Sequence, residues 1–428
     1  MSGIISTSIF AVSLFFILAE KIHRTIVGIA GAVVMVGTGL ALGFYNEELA
    51  VEAIDFETLG LLFGMMVLVA LLQPTGFFEY VAIQAGRFSR GRPIQLLILL
   101  GTVTTILSMF LDNVTTVVLI APITILICEI LSLSPVPFLI SEALLSNTGG
   151  VGTLVGDPPN VLIGSAVPFT FNDFLVHALP IVIVTWIVVL ILLIWLFRHD
   201  LRATSEMVRR VKQLDPSKAL DHPQTARKIL IVLGIVILLF FVHHILHFSP
   251  AFIALGGAVA ALLWVRPEDL NKTLEHIEWS VLVFFAALFV MVGGLEAAGV
   301  LESVAELVAQ MSHINSVLLG VIMIWVVAGL SAIVDNIPIT IALIPVIQGL
   351  GASGINVQPL WWALVFGAGF GGNGTIIGST ANVVVVSLSE KTRTPITAAM
   401  WTRRGLPVML TACTVSSIVY ALLFPTFR

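Results

Sequence analysis

Two motifs set a carboxylate beside a carboxamide inside apolar sequence. They are Asp112-Asn113-Val114-Thr115-Thr116 and Asp335-Asn336-Ile337-Pro338-Ile339-Thr340. An unpaired charge at the centre of a bilayer costs roughly 2.5–3.5 kcal/mol or more. Each Asp is therefore expected to face protein or water, where it could bind or carry an ion. The ordinary alternative is an N-cap for the following helix. Both roles are compatible, because an N-cap at mid-membrane is how a re-entrant tip would be built. Two glycine-rich segments accompany the motifs. Ser146-Asn147-Thr148-Gly149-Gly150-Val151-Gly152-Thr153-Leu154-Val155-Gly156-Asp157-Pro158-Pro159-Asn160 has four Gly and two Pro within Gly149–Asn160, so a continuous helix is excluded. Gly371-Gly372-Asn373-Gly374-Thr375-Ile376-Ile377-Gly378-Ser379-Thr380-Ala381-Asn382 repeats the pattern without proline. Backbone groups freed by unwinding need partners from a cavity or a ligand. A phosphate-binding loop is excluded: G-x-x-x-x-G-K-[ST] is absent, and no G-x-G-x-x-G follows a strand.

The elements that position these residues follow from composition. The chain has 428 residues, of which 58% are apolar and 11% charged, with a mean hydropathy of +1.08. A soluble domain carries about 25% charged residues, so soluble enzymes and disordered tails are excluded. A net charge of −5 gives nucleic acid no basic surface. Cys128 and Cys413 cannot make a disulfide framework or a zinc site. No cofactor is expected. MSGIISTS lacks the basic start of a cleavable signal peptide. Apolar runs begin at Ile4, Ile26, Thr58, Ile94, Val114, Phe138 and Phe174, and again at Ile229, Ala251, Ser280, Val317, Ile337, Leu360 and Leu406. Their lengths fit membrane helices.

The two series are copies of one another. Gly76 and Glu79 map onto Gly299 and Glu302 at an offset of 223 in sequence number. LSMFLDNVTTVVLIAPI maps onto LSAIVDNIPITIALIPV at the same offset, and GGVGTLVGDPPN onto GGNGTIIGSTAN at 222. Internal duplication of this kind marks many secondary transporters. We divide the chain into residues 1–200, a basic linker 201–228, and residues 229–428. The fold expected is an all-α polytopic membrane protein of two inverted repeats. It has about ten transmembrane helices, two re-entrant hairpins tipped by the Asp-Asn pairs, and two broken helices. Five crossings per half force the inversion. With the N-terminus outside, nineteen of the 20 Lys and Arg fall on inside loops, eight of them in or beside the linker. The twentieth is Arg428. Glu47, Glu48, Glu52, Asp55, Glu57, Glu302 and Glu306 fall outside. This predicts a cytoplasmic 198–228 segment in a plasma (inner) membrane, with His243–His247 on the outer face.

Other candidates carry less chemistry. Glu129 and Glu142 are expected at the interface. His243 and His247 have metal-binding spacing, but without a nearby carboxylate they read as a solvated outer face. Trp195, Trp264 and Trp401 read as interface anchors, and Gly60-x-x-x-Gly64 as helix packing.

FLDNVTTVVLIAPITILICEIL, NTGGVGTLVGDPPNV, IVDNIPITIALIPV and GGNGTIIGSTANVVV together resemble the ArsB / P-protein group of permeases in the ion transporter superfamily. The resemblance runs from about Ile54 to Leu423. It implies a substrate site between two hairpin tips and two unwound loops. On one side it would use Asp112, Asn113, Thr115, Asn147, Gly150, Thr153 and Asn160, and on the other Asp335, Asn336, Gly372, Asn373, Thr375 and Asn382. Asp112 and Asp335 would couple protons or ions. Asp157, opposite Ser379 in the repeat, is a third coupling candidate or a cap for its loop. Dicarboxylate carriers, more distant relatives, resemble Ser-Asn-Thr at the tips, where this chain has Asp. Two carboxylates would repel a doubly negative substrate but suit a cation, a proton, or a neutral solute exchanged for protons. The leading expectation is therefore efflux of arsenite or antimonite in exchange for protons, recognised through As–OH groups rather than thiolates. A Na⁺/H⁺ antiporter is the alternative, and a P-protein-like anion permease or channel the third reading. The implied partners are the bilayer, protons or Na⁺, and, if transport is ATP-dependent, a separate arsenical pump ATPase. A homodimer is compatible with this reading.

Overall fold

The computed structural model describes residues 2–18, 22–167, 169–202, 211, 215–216, 219–300, 315–352 and 354–427. Lys21, Arg209, Arg210, Lys212, Lys218, Glu302, Glu306 and Arg428, used above for topology, lie outside the described residues. The first series of helices is α1 (Ser2–Leu18), α2 (Arg24–Leu42), α3 (Glu47–Glu52), α4 (Phe56–Leu72), α5 (Phe77–Phe88), α6 (Pro93–Leu111), α7 (Asn113–Leu131), α8 (Val136–Gly150), α9 (Pro158–Ala166) and α10 (Leu179–Leu196). The second is α11 (Pro223–Leu246), α12 (Pro250–Val265), α13 (Leu270–Glu275), α14 (Trp279–Ala297), α15 (Ser316–Ser331), α16 (Asn336–Ala352), α17 (Gln358–Gly371), α18 (Thr380–Ser389) and α19 (Ala398–Leu422). Among the described residues, eight helices are long and apolar enough to cross a membrane. Their outward faces and those of their shorter neighbours carry exposed Leu238, Leu263 and Leu422, which suits hydrocarbon and not water.

The duplication read in the sequence recurs in the helix starts. Phe56 and Trp279, Pro93 and Ser316, and Asn113 and Asn336 each open a helix, and each pair is separated by the offset of the Asp-Asn motifs. Val136 and Gln358, like Pro158 and Thr380, stand one position closer, so the slip falls in the connection between α7 and α8. Packing recurs as well. α2 lies on α14 as α12 lies on α4; α6 lies on α8 as α15 on α17; α7 meets α18 as α16 meets α9. Close approach needs small residues. A Cβ on Gly64 of α4 would stand 2.6 Å from the Ala254 carbonyl carbon of α12, so Gly60-x-x-x-Gly64 does serve helix packing.

Both Asp-Asn pairs stand at a break between two helices, and both glycine-rich segments interrupt a helix. α8 stops at Gly150 and α9 resumes at Pro158; α17 stops at Gly371 and α18 resumes at Thr380. Helix α11 starts at Pro223, inside the linker expected at 201–228. Proline suits a first helical turn, and Arg227 and Lys228 are good helix formers that an apolar-run criterion overlooks.

Three minor expectations are corrected. Glu142 is buried inside the protein, where it accepts a hydrogen bond from Thr124 Oγ1 at 2.5 Å. Trp401 is buried, and its indole N–H donates to the Asn373 carbonyl at 3.3 Å. His243 is buried, with Nε2 accepting from Phe171 N at 3.4 Å, so it is not part of a solvated face. In each case the neighbours come from distant sequence, and local hydropathy did not register them. Glu129, Trp195 and Trp264 are exposed, as expected.

Candidate functional site

Asp112 and Asp335 have positive φ, 75° and 35°. This conformation is uncommon for residues other than Gly, though Asp tolerates it better than most, and here it falls at the breaks between α6 and α7 and between α15 and α16. Each Asp also caps its second helix. Asp112 Oδ1 accepts from Thr115 N at 2.9 Å, and Asp335 Oδ1 from Ile337 N at 3.3 Å. The capping reading therefore holds for both residues. Thr115 engages Asp112 through both its backbone N–H and its side chain.

The unwound segments are stitched by their own asparagines. Asn160 Nδ2 donates to the carbonyls of Gly150, Val151 and Thr153; Asn382 Nδ2 donates to those of Gly372 and Thr375. Thr153 Oγ1 donates to the Met109 carbonyl and Thr375 Oγ1 to the Ala332 carbonyl, tying each loop to the segment before the Asp. Glycine is required where the two strands of each loop close. A Cβ on Gly156 would stand 2.6 Å from the Gly150 carbonyl oxygen, and one on Gly378 would stand 2.8 Å from that of Gly372. Asn160 and Asn382 thus satisfy backbone carbonyls that unwinding frees, and Thr153 and Thr375 satisfy carbonyls at the ends of α6 and α15.

Asn147 is one of the side chains that join the two halves. Asn147 Oδ1 accepts from Asn113 Nδ2 at 3.1 Å and from Ser379 Oγ at 3.0 Å. Its Nδ2 donates to Asn373 Oδ1 at 3.1 Å and to Asn382 Oδ1 at 3.0 Å. Asn373 Nδ2 in turn donates to Thr148 Oγ1. All these residues are buried, so the network is fixed by mutual hydrogen bonding in a low dielectric.

Asp157 lies between the two Asp-Asn motifs. Asn336 Nδ2 donates to both of its oxygens at 3.2 Å, and Asn113 Nδ2 approaches Oδ1 at 3.5 Å. The residue is 1% exposed. Its partners are neutral amides from the two motifs. Asp335 differs: Arg24 Nη1 pairs with its Oδ2 at 3.3 Å, and Thr380 Oγ1 donates to the same oxygen at 3.0 Å. Arg24 Nη1 also donates to Thr380 Oγ1.

These groups enclose a cavity of about 20 Å³ lined by Arg24, Asp112, Asn113, Asp157, Glu278 and Asn336, with Ser379 and Thr380 beside them. That is room for about one water-sized guest. Arg24, Asp335 and Thr380 also line an open cleft of about 290 Å³. A cleft of about 430 Å³ holds Glu57 and His247. In the repeat, His247 takes the place of Arg24. Of the sequence candidates, Asp112, Asn113, Asp157 and Asn336 line the central cavity. Asn147, Asn373 and Asn382 form the network behind it.

Sequence reading missed Arg24, Glu278, Ser379 and Thr380. Arg24 is 311 residues from its partner Asp335, and nothing local announces the pair. Ser379 and Thr380 stand in the second glycine-rich segment but read as weaker polar groups than its asparagines. Glu278 had one available signal. It is the repeat equivalent of Asp55, which caps α4 through Glu57 N and Thr58 N, whereas Glu278 makes no side-chain cap bond at α14.

A family model described as citrate transporter matches residues 14–367. An uncharacterized transporter of Mycobacterium tuberculosis is 37% identical over 422 residues, covering 97% of each chain. The P protein of Homo sapiens is 34% identical over 491 residues, covering 96% of this chain and 59% of its own length. Among solved structures, the YdaH transporter of Alcanivorax borkumensis superposes with a TM-score of 0.62 at 15% identity, covering 95% of this chain and 99% of its own. That likeness concerns the fold.

Proposed function

We propose, for a chain that belongs to the citrate transporter family and is a multi-pass secondary transporter rather than an enzyme, that it exchanges protons for a small monovalent cation, Na⁺ before others, at Asp157. One observation carries the reading: a buried carboxylate, held by amides of both Asp-Asn motifs, beside a cavity with room for one water-sized guest. A buried charge needs a counter-charge or a proton. The guanidinium nearby is engaged with Asp335. A cation or a proton at Asp157 would meet that need, and competition between the two is exchange.

Asp112 supplies a second carboxylate to the same cavity. We read the two helix series as inverted halves, each with a re-entrant pair (α6–α7, α15–α16) and a broken helix (α8–α9, α17–α18). Transport would part the two tips in turn, and Asp157, bonded to Asn336 and near Asn113, would feel each parting. The Lys/Arg distribution supports an outside N-terminus and a cytoplasmic 198–228 segment.

Proton-coupled efflux of arsenite or antimonite is the second reading. The hydroxyl and amide lining, Asn113, Asn336, Ser379 and Thr380, favours it, since these groups suit As–OH. A trihydroxylated centre is larger than a single water and would need the tips to separate first. A free tricarboxylate suits this site least, because Asp112, Asp157 and Glu278 face one Arg. Proteoliposomes holding a pH dye separate the readings. Na⁺ pulses should move protons, and choline should not. Proton movement on arsenite pulses with silence to Na⁺ would overturn the first reading in favour of the second.

A further inference from the structure

Arg24 and Glu278 are placed together by the packing of α2 on α14. Thr25 Oγ1 donates to the Ser280 carbonyl at 2.9 Å, tying the first turns of these helices. The Arg24 guanidinium lies 5.4 Å from the centre of the Phe284 ring, also on α14. Arg24 therefore stands on the same rim as Glu278, and both line the central cavity with Asp112. The far end of the guanidinium reaches Asp335 and Thr380. These three residues also line the open cleft of about 290 Å³, so the ion pair stands between cleft and cavity. With side-chain exposures of 25% and 15%, the pair is part-buried and still reachable from the cleft.

The repeat underlines the choice of residues. Asp55 is committed to capping α4, with Oδ1 accepting from two backbone N–H groups and Oδ2 from Thr58 Oγ1 at 2.6 Å. Glu278, in the equivalent place, has one more methylene and, among the described residues, no hydrogen bond to its carboxylate. A carboxylate released from capping and set beside a guanidinium is available as that guanidinium's second partner.

We propose that Arg24 is a tethered cation that closes the cleft-side entrance at Asp335, and that Glu278 receives it when an arriving cation displaces it. The guanidinium then moves between two carboxylates and stays paired in both positions, which avoids an uncompensated part-buried charge. Selectivity follows: a cation that binds Asp335 well enough to compete with Arg24 enters, and a neutral solute does not open the entrance. The inference rests on the reading of the site as a cation pathway, but its test does not depend on transport.

The test uses a Cys128→Ser, Cys413→Ala background with one new cysteine. Met66→Cys reports the central cavity and Val383→Cys the cleft. A membrane-impermeant trimethylammonium methanethiosulfonate is applied to sealed vesicles of the orientation that labels Val383→Cys. Arg24→Ala should speed labelling of Met66→Cys by about tenfold, the effect of removing an interaction of about 1.4 kcal/mol, and leave Val383→Cys unchanged. Glu278→Gln should slow Met66→Cys labelling, because the displaced guanidinium has lost its receiver. In the Arg24→Ala, Glu278→Gln double variant the rate should equal that of Arg24→Ala alone, since Glu278 acts through Arg24. An unchanged Met66→Cys rate in Arg24→Ala would overturn the entrance. Slowing by Glu278→Gln that persists without Arg24 would overturn the receiver role. If labelling behaves as expected while Na⁺ moves no protons, the entrance stands and the Na⁺/H⁺ reading fails.

Discussion

Replacing Asp157 with Asn separates an ion-binding role from a structural one. The two side chains have nearly the same shape, so packing is preserved. In the parent, Asn336 Nδ2 donates to both Asp157 oxygens at 3.2 Å. An amide at 157 offers one acceptor, so one of these two contacts is lost. The expected stability change is about 1 kcal/mol, the net value of one hydrogen bond. The functional change is larger. A bound cation loses a buried charged partner, worth about 2.7 kcal/mol or more, which corresponds to about a hundredfold weaker binding. The group also can no longer carry a proton. Purified Asp157→Asn should therefore unfold within about 3 °C of the parent, yet show no Na⁺-driven proton movement by dye quenching in proteoliposomes. Exchange at the parental rate would refute the reasoning and leave Asp157 as a loop-orienting residue. Loss of both folding and exchange is not expected of an isosteric change.

The other predictions follow from the asymmetry of the site. Asn caps a helix as well as Asp does, so Asp112→Asn should keep its stability and lose exchange. Asp335→Asn combined with Glu278→Gln should also lower the thermal midpoint, because Arg24 then has neither carboxylate; a midpoint equal to that of Asp112→Asn would contradict the ion pair. Gly156→Ala should sharply reduce monodisperse protein on size exclusion. Its Cβ would meet backbone oxygens of Gly150 and Ser108 at 2.6 and 2.8 Å, whereas Gly234→Ala has nothing within 4 Å and should behave as the parent. Topology is read by impermeant thiol labelling of Arg202→Cys and His244→Cys in the Cys128→Ser, Cys413→Ala background. The two should label from opposite faces, and labelling of both from one face would sink the inverted arrangement.

Much was legible in the chain because duplication and hydropathy are local signals. Two nearly equal offsets located the equivalent helices, and the Asp-Asn and glycine-rich blocks located the breaks between them. Positive φ at Asp112 and Asp335, and the closed glycine pairs, follow from residue types that tolerate those conformations. The ranking within the site was not legible. In sequence Asp112 and Asp335 are equivalent and Asp157 is secondary. In the structure Asp157 lies between Asn336 and Asn113, and Asp335 is taken by an arginine 311 residues away. Asn147 has no asparagine counterpart in the second repeat, yet it joins the two halves through three hydrogen bonds. A repeat specifies what its two copies share. The site depends on where the copies differ, at Asp157 opposite Ser379, Asn147 opposite Gly369, and Glu278 opposite Asp55. Those differences acquire partners only when α2 packs on α14 and the two loops meet, because hydrogen bonds and ion pairs reach a few ångströms in space and have no signature along the chain.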